Sequence, residues 1–263
     1  MGHDSGGLTQ TISAGVAYWE DMLPETPREL VSSYLSLVEP ELLTQVSRCG
    51  QLGEPARHLI LAGGRRIRPL VLLGACDALG GNWTEAVQQA VAVEFIHTAS
   101  LIHDDIIDHS PTRRGVATVH ESMGMRTALL AGDALCFLAV ELSAAAPGVP
   151  VILAQACREM CLGEAMGEGL EAAEKKTASL FRAAAEIGAL MACAAPAEVA
   201  DLRQYGHMLG MAFQLRDDQL DGEGTADPML YAQLARTSVD GLPAGSPRGL
   251  LRDLATFAAR RAK

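Results

Sequence analysis

The sequence has few aromatic residues and few runs of β-branched residues. Phe, Trp and Tyr make up 4% of the 263 residues, whereas Ala, Leu and Glu are plentiful. Aromatic and β-branched residues favour strands, and Ala, Leu and Glu favour helices. The composition therefore argues against a protein built on β-sheets and favours a helical one.

Excess positive charge and long apolar runs are also lacking. The formal net charge of −11 argues against a nucleic-acid partner. Asp133 and Glu141 break the apolar stretch at 128–140, and a transmembrane helix needs about 20 mostly apolar residues. The first ten residues lack a basic stretch followed by an apolar one, so no targeting signal is predicted and the expected location is cytoplasmic.

Helical periodicity predicts a single all-α domain over residues 16–263, preceded by a flexible tail at 1–15. No strand is predicted. Thr84 is the expected N-cap of the predicted helix at 85–108. The predicted helices cover 31–46, 67–79, 85–108, 125–145, 151–162, 171–193, 201–220 and 250–261.

Two segments carry three aspartates at the same spacing near the end of an apolar helical stretch. The triplets are Asp104, Asp105 and Asp108 in the first segment and Asp217, Asp218 and Asp221 in the second. Carboxylates four residues apart share one helix face and repel each other unless a cation lies between them. If the two helices face each other, these oxygen ligands line one cleft and suit Mg²⁺.

Basic residues follow the first acidic segment and also cluster upstream of it. Arg113 and Arg114 lie in the turn after Asp108, where guanidinium groups match phosphate oxygens. Gly63 and Gly64 precede Arg65, Arg66 and Arg68, so the backbone there can approach an anion closely. An acidic protein with such clusters is expected to bind a small polyanion.

Two further segments add polar groups to this pattern. His97 lies seven residues before Asp104, two helical turns back on the same face. Lys176 and Thr177 lie in the first turns of another predicted helix and are candidate phosphate ligands. Either feature alone is also typical of an ordinary structural or surface residue.

In chain order, these segments resemble the trans-isoprenyl diphosphate synthases, the polyprenyl synthetase family. The matching segments are GGRRIRP at 63–69, EFIHTASLIHDDIID at 94–108, RRG at 113–115, GD at 132–133, KT at 176–177 and GMAFQLRDDQLD at 210–221. The resemblance implies an antiparallel helical bundle around a central cavity, a homodimer, and transfer of an allylic prenyl group to isopentenyl diphosphate.

The resemblance also implies a role for each matching residue. Up to three Mg²⁺ ions would be held by Asp104, Asp108, Asp217, Asp218 and Asp221, with Asp105 and Lys176 as further catalytic residues. The expected ligands of isopentenyl diphosphate are Arg65, Arg68, His97 and Arg114. Those of the allylic diphosphate are Arg113, Lys176, Thr177 and Gln214.

Product length is expected to depend on the residues one turn before Asp104. Ala99 and Ser100 are small, which by analogy with the family implies a product of twenty carbons or more. Phe95 and Ile96, a further turn back, are candidates for a deeper floor.

The sequence departs from the family pattern at several places. Arg65 stands where lysine is common, the connection from Gly163 to Lys176 is short, and 222–228 contains no lysine. The region after Asp221 is shorter than in the family. Two alternatives therefore stay open: a class I terpene cyclase on the same scaffold, or a non-catalytic regulatory subunit. Intact Arg68, His97 and Arg114 argue against the first, and two intact acidic segments argue against the second.

Overall fold

The computed structural model describes residues 18–19, 23–222, 224 and 226–262. The predicted flexible tail at 1–15 lies outside these residues. In chain order the α-helices are α1 (Glu25–Val46), α2 (Gly53–Leu61), α3 (Ile67–Ala78), α4 (Val87–Ile107), α5 (Val119–Met123), α6 (Met125–Ser143), α7 (Val149–Met166), α8 (Leu170–Ala173), α9 (Ser179–Met191), α10 (Pro196–Asp221), α11 (Pro228–Ser238) and α12 (Ser246–Arg260). The expected all-α fold is confirmed.

Shorter elements join these helices. Tight 3₁₀ turns occupy Ser47–Leu52 and Trp83–Ala86, and a π-helical turn occupies Glu174–Ala178. A small hairpin pairs β1 (Thr112–Arg113) with β2 (Val116–Ala117), antiparallel. The prediction that the chain has no strand was therefore wrong at this one hairpin, which carries Arg113.

Helix α4 lies at the centre of the bundle. It packs most extensively on α6, while α9 packs between α3 and α10. Val91, Phe95 and Ile102 of α4 are almost completely buried. Burial of such side chains stabilises the fold by about 1.5–3 kcal/mol each, before entropic costs are counted. Because the core surrounds α4, its polar residues are fixed in position.

One local prediction was wrong, and one predicted helix contains an irregularity. Asn82, not Thr84, caps the turn before α4, since its side-chain oxygen accepts a hydrogen bond from the Thr84 amide at 3.3 Å. The helix predicted at 171–193 is present without a break over 170–191, but it contains a π-helical turn between α8 and α9. Lys176 and Thr177 lie in this irregular turn, a kind of element often found at functional sites.

The end of α4 directs the chain into the hairpin. The Asp108 amide donates to the Asp104 carbonyl at 2.8 Å, and His109 then adopts a left-handed backbone with φ of 51°. The Ser110 amide donates to the Asp105 carbonyl at 3.0 Å. These bonds hold the two arginines after Asp108 beside the acidic end of α4. None of the helices in the described part of the chain is long and apolar enough to cross a membrane.

Candidate active site

A cavity of about 780 Å³ lies between α4, α7, α10 and the π-helical turn. It brings together residues from segments that are more than 150 positions apart in the sequence. Its lining consists of Arg65, Arg68, His97, Ser100, Leu101, His103, Asp104, Ile107, Arg113, Met160, Cys161, Glu164, Ala165, Lys176, Thr177, Phe213, Gln214, Asp217 and Arg261.

The two acidic segments lie on two different helices that both line this cavity. Asp104 of α4 and Asp217 of α10 both line it. Asp105 is buried, and Asp108 and Asp221 are exposed at the ends of their helices. The first aspartate of each segment, Asp104 or Asp217, therefore lines the cavity as predicted. The other aspartates follow within four residues on the same helices.

Asp104 faces Lys176 and Glu164. The Lys176 ammonium pairs with the Glu164 carboxylate and lies 3.9 Å from Asp104 Oδ2. Burial raises the pKa of Asp104 to about 6, and Lys176 opposes this rise. Burial also disfavours the charge on Lys176, but Glu164 and Asp104 outweigh burial and raise its pKa. Lys176 therefore remains a cation at the cavity wall.

Gly163 allows α7 to approach the π-helical turn. A Cβ atom at this position would lie 2.4 Å from the Lys176 backbone nitrogen, which no larger residue can accommodate without a shift of the backbone. Glu164 follows directly and pairs with Lys176. The departure from the family pattern at Gly163–Glu164 therefore still delivers a charged partner to Lys176.

Asp105 points away from the cavity, toward the hairpin. Arg113 Nε donates to Asp105 Oδ1 at 2.6 Å, and Asp105 Oδ2 is buried without a hydrogen-bond partner among the described residues. Burial raises the pKa of Asp105, and the bond from Arg113 opposes that rise. Arg113 also lines the cavity, so Asp105 orients it there.

Arg261 is a cavity residue that the sequence did not reveal. It pairs with Asp217, and its guanidinium lies 3.9 Å from the centre of the Phe213 ring. The Arg261 carbonyl accepts a hydrogen bond from Arg216 Nε at 2.9 Å. The amphipathic pattern of α12 predicted a helix, but it contained no signal that the next residue reaches Asp217.

Thr177, Gln214 and Asp218 form a chain of hydrogen bonds across two elements. The Thr177 hydroxyl donates to Gln214 Oε1 at 2.6 Å, and Gln214 Nε2 donates to Asp218 Oδ1 at 2.8 Å. Thr177 and Gln214 line the cavity, whereas Asp218 is not part of its lining. Asp218 therefore orients the amide of Gln214 in this arrangement.

A second cavity of about 370 Å³ adjoins the first and is strongly basic. The two share Arg65, Arg68, His97 and Phe213, and Arg114 lines only the second. Burial lowers the pKa of Arg68 and of Arg114 to about 10, so both remain charged at neutral pH. Burial, together with Arg68 and Arg114, holds the pKa of His97 well below its usual value and keeps the imidazole neutral. All four predicted isopentenyl diphosphate ligands thus surround this second cavity.

The two residues expected to control product length differ in orientation. Ser100 lines the large cavity, with its hydroxyl donating to the His97 carbonyl at 2.8 Å. Ala99 is 1% exposed and packs in the core, so it does not line the cavity. Phe95 and Ile96 are likewise core residues. Leu101 and Met160, which the sequence did not single out, form part of the apolar wall.

The carboxylates fit magnesium only with help from another ligand. Among the described residues, no three His, Cys, Asp or Glu side chains converge as a self-sufficient metal site. Mg²⁺ prefers oxygen ligands and commonly takes one or two carboxylates together with substrate phosphates. Asp104 and Asp217 supply carboxylates of this kind, beside cations that suit a phosphate.

Known proteins resemble the chain in both sequence and fold. The sequence profile of the polyprenyl synthetase family matches residues 50–229. A geranylgeranyl diphosphate synthase of Methanosarcina mazei is 39% identical over 209 residues, which are 72% of this chain and 64% of that protein. A short chain isoprenyl diphosphate synthase of Methanothermobacter thermautotrophicus is 37% identical over 221 residues, or 77% of this chain and 64% of that protein. The chain thus spans about 64% of the length of these relatives.

A solved structure agrees with these matches. The polyprenyl synthase from Caulobacter crescentus, crystallised with calcium and isoprenyl diphosphate, superposes with a TM-score of 0.83 and 28% identity. The superposition covers 90% of this chain and 98% of that one. With the matched profile covering most of the sequence, the chain belongs to the polyprenyl synthetase family.

Proposed function

We propose that the protein is a magnesium-dependent prenyltransferase that joins isopentenyl diphosphate to an allylic prenyl diphosphate. One observation carries the proposal: a cavity lined by Asp104 of α4 and Asp217 of α10 adjoins a basic cavity lined by Arg65, Arg68, His97 and Arg114. Two adjoining anion sites suit a reaction between two diphosphates. Diphosphate-synthase relatives support the same activity.

The first site would bind the allylic diphosphate with magnesium. Up to three Mg²⁺ ions would be held by Asp104 and Asp108 from α4 and by Asp217, Asp218 and Asp221 from α10. Bound Mg²⁺ would stabilise the negative charge that develops on the leaving diphosphate. The Caulobacter protein, crystallised with calcium and isoprenyl diphosphate, supports a divalent cation at such a site.

The side chains of the first site would help the allylic carbon–oxygen bond to break. Arg113, Lys176, Thr177 and Gln214 would hold the diphosphate, which leaves with the bonding electron pair. Their charges and dipoles are already in place, which is the most effective form of electrostatic stabilisation. Apolar Leu101, Ile107 and Phe213 would shield the allylic cation from water.

The second site would present isopentenyl diphosphate to that cation. Arg65, Arg68, His97 and Arg114 would hold its diphosphate, so that its double bond attacks the allylic carbon. A carbon–carbon bond forms, and the proton then lost would pass to the released diphosphate. Neutral His97 would donate a hydrogen bond there without adding a further positive charge.

The product is proposed to contain twenty carbons or more. Ser100 is small and leaves the cavity wall open one turn before Asp104. The apolar wall formed by Leu101 and Met160 would accommodate the growing chain. The Methanosarcina relative, a geranylgeranyl diphosphate synthase, supports a product of this size.

We also propose that the protein is a homodimer that pairs through α6. This helix exposes Leu129, Leu130, Phe137 and Val140, and Phe137 is 74% exposed. Scattered apolar residues are normal on a surface, but a row of them along one helix is typical of an interface. A second copy of the chain would cover this row symmetrically.

An incubation with labelled substrate tests the activity. The protein is mixed with MgCl₂, labelled isopentenyl diphosphate and, in separate reactions, dimethylallyl, geranyl or farnesyl diphosphate. The expected result is a labelled, longer diphosphate that disappears when EDTA is added. Hydrocarbon products that contain no label would indicate a terpene cyclase instead, and failure to consume either diphosphate would contradict the proposed activity.

A further inference from the structure

Arg66 lies between two predicted substrate ligands, and its guanidinium is buried among protein partners at the wall of the basic cavity. It is 2% exposed, whereas Arg65 and Arg68 on either side are only partly buried. Fully buried arginines are rare and need partners. The proposed reaction gives Arg66 no role, so its burial in the middle of the basic segment calls for an explanation.

The Arg66 guanidinium connects three helices. Its Nε donates to Glu39 Oε1 of α1 at 2.8 Å, and its Nη1 donates to Glu94 Oε1 of α4 at 3.1 Å. Its Nη2 donates to the Ile60 carbonyl of α2 at 2.9 Å. Glu39 is 1% exposed and Glu94 is 2% exposed, so both ion pairs are shielded from water. Charge-assisted bonds of this kind are directional and strong when shielded.

The backbone at Arg66 is fixed together with its side chain. Arg66 has φ of 50°, in the left-handed region that residues other than glycine rarely adopt, and it immediately precedes α3. This conformation turns the chain from the Gly63–Gly64 loop into the helix, so that Arg65 lies before the turn and Arg68 within the first helical turn. Such a conformation persists only when its surroundings impose it. Here the buried ion pairs do so.

The same network reaches Arg114 and the loop glycine. Burial disfavours the charge of Arg114, and Glu94 opposes that effect. Arg114 also pairs with the Gly63 carbonyl. A Cβ atom at Gly64 would lie 2.6 Å from Arg66 Nη1 and 3.0 Å from Arg114 Nη1, so only glycine leaves room for both guanidiniums. The Gly63–Gly64 loop and the ion pairs of Arg66 therefore contact or adjoin three of the predicted ligands, which are Arg65, Arg68 and Arg114.

We propose that Arg66, whose Nε, Nη1 and Nη2 all donate to protein acceptors, is a positioning residue that sets the geometry of the isopentenyl diphosphate site through Glu39 and Glu94. This inference rests on the proposed function, because it assigns isopentenyl diphosphate to the basic cavity. All three residues line the basic cavity and none lines the cavity of Asp104 and Asp217, so the effect should be confined to isopentenyl diphosphate.

Arg66→Lys tests the proposal because it keeps the charge but loses the planar fork that engages both glutamates. Binding of isopentenyl diphosphate alone is measured by calorimetry, and KM values for both substrates are measured with Mg²⁺. The expected result is an increase of about tenfold or more in both the Kd and the KM for isopentenyl diphosphate. The KM for the allylic diphosphate should stay within about twofold of the wild-type value, because Arg66 and its two glutamate partners do not line the cavity of Asp104 and Asp217.

Two further variants keep the test decisive. Arg182→Lys is the matched control, because Arg182 forms an ion pair with Glu159 that joins two helices outside this network. This variant should leave both KM values unchanged. If Arg66→Lys does not fold, Glu39→Gln removes one charge at constant shape and should raise the same Kd to a smaller extent.

The outcomes separate the two proposals. Wild-type protein that fails to bind isopentenyl diphosphate contradicts the proposed function itself. Wild-type binding together with an unchanged Kd in the folded variant contradicts the positioning role. Equal increases in both KM values would also contradict it, because they would indicate a general structural defect.

Discussion

Asp104 lies between charges of both signs, and this environment makes it the most informative single residue of the cavity. Lys176 is on one side, at 3.9 Å from Oδ2, while Glu164 and Asp108 add negative charge nearby. A carboxylate in such surroundings gains most from a cation that binds with the substrate. The same surroundings tolerate loss of its charge, since removing one of several carboxylates relieves repulsion.

Asp104→Asn should therefore separate activity from stability. We expect turnover to fall at least about 100-fold, because a ligand of the Mg²⁺ that would stabilise the developing negative charge is lost. The melting temperature should change by less than about 3 °C. Label incorporation and thermal unfolding measure the two effects. Asp201→Asn, an exposed residue of α10, is the control and should change neither. Wild-type turnover in Asp104→Asn would refute the metal role.

Ser100 allows a test of product length at one position. Ser100→Phe adds a ring to the cavity wall, so we expect a product shorter by at least one isoprene unit. Ser100→Ala is the control, because the hydroxyl already bonds to the His97 carbonyl at 2.8 Å. Chromatography of the dephosphorylated products measures chain length. An unchanged product distribution in folded Ser100→Phe would show that this wall does not limit the chain.

At the scale of elements, the sequence predicted the existence of the longer helices, but α1 begins six residues and α10 five residues before the predicted start. Residues 67–79 and 125–145 differ by two residues or fewer at each end from α3 and α6. Glycine or proline follows each of these helices, and such residues mark helix ends clearly. The nine-residue α2 was missed because Pro55 interrupts its pattern, and α11 because it is only eleven residues long. Strands of two residues are too short to show alternation.

The sequence predicted which site residues lie close together when they share one helix, but not when they lie on different helices. The seven-residue spacing of His97 and Asp104 placed both on one face, and both line the cavity. By contrast, Arg66 and Glu39 are 27 positions apart, and Arg261 and Phe213 are 48 apart. Periodicity carries no information about such pairs, because they depend on how the helices pack.

The exposed row on α6 yields a prediction about assembly. Phe137→Glu places a charge in the proposed dimer interface, where it would be buried without a partner, so the dimer should dissociate. Light scattering after size-exclusion chromatography measures the mass. Leu230→Glu on α11 is the matched control, since Leu230 is 58% exposed on another helix and should not affect the mass. A wild-type monomer, or a dimer that persists in Phe137→Glu, would contradict pairing through α6.

At the scale of the whole molecule, charge is distributed unevenly. The net charge is −11, yet the two cavities collect Arg65, Arg66, Arg68, Arg113, Arg114, Lys176 and Arg261. Concentrated cations repel one another and are partly neutralised by Glu39, Glu94, Glu164 and Asp217. A bound polyanion should relieve the remaining repulsion and stabilise the whole fold.

This relief is measurable as a thermal shift. With Mg²⁺ and inorganic pyrophosphate at about 100 times the Kd, linkage gives a stabilisation of about 2.7 kcal/mol. For a chain of this size, the melting temperature should rise by about 5 to 10 °C. Adding EDTA should remove most of the shift, and Asp217→Asn should show less of it relative to its own baseline. No shift in the wild type would contradict a metal–diphosphate site.

The close approach of Gly163 to the Lys176 backbone has a consequence for how such proteins diverge. Helix α7 and the π-helical turn are fastened to each other at this point, by backbone proximity and by the Glu164–Lys176 ion pair. The residues between Glu164 and Lys176 therefore do not determine the position of the Lys176 ammonium group. Insertions or deletions between the two anchors can accumulate over evolution while the ammonium group stays in register with Asp104.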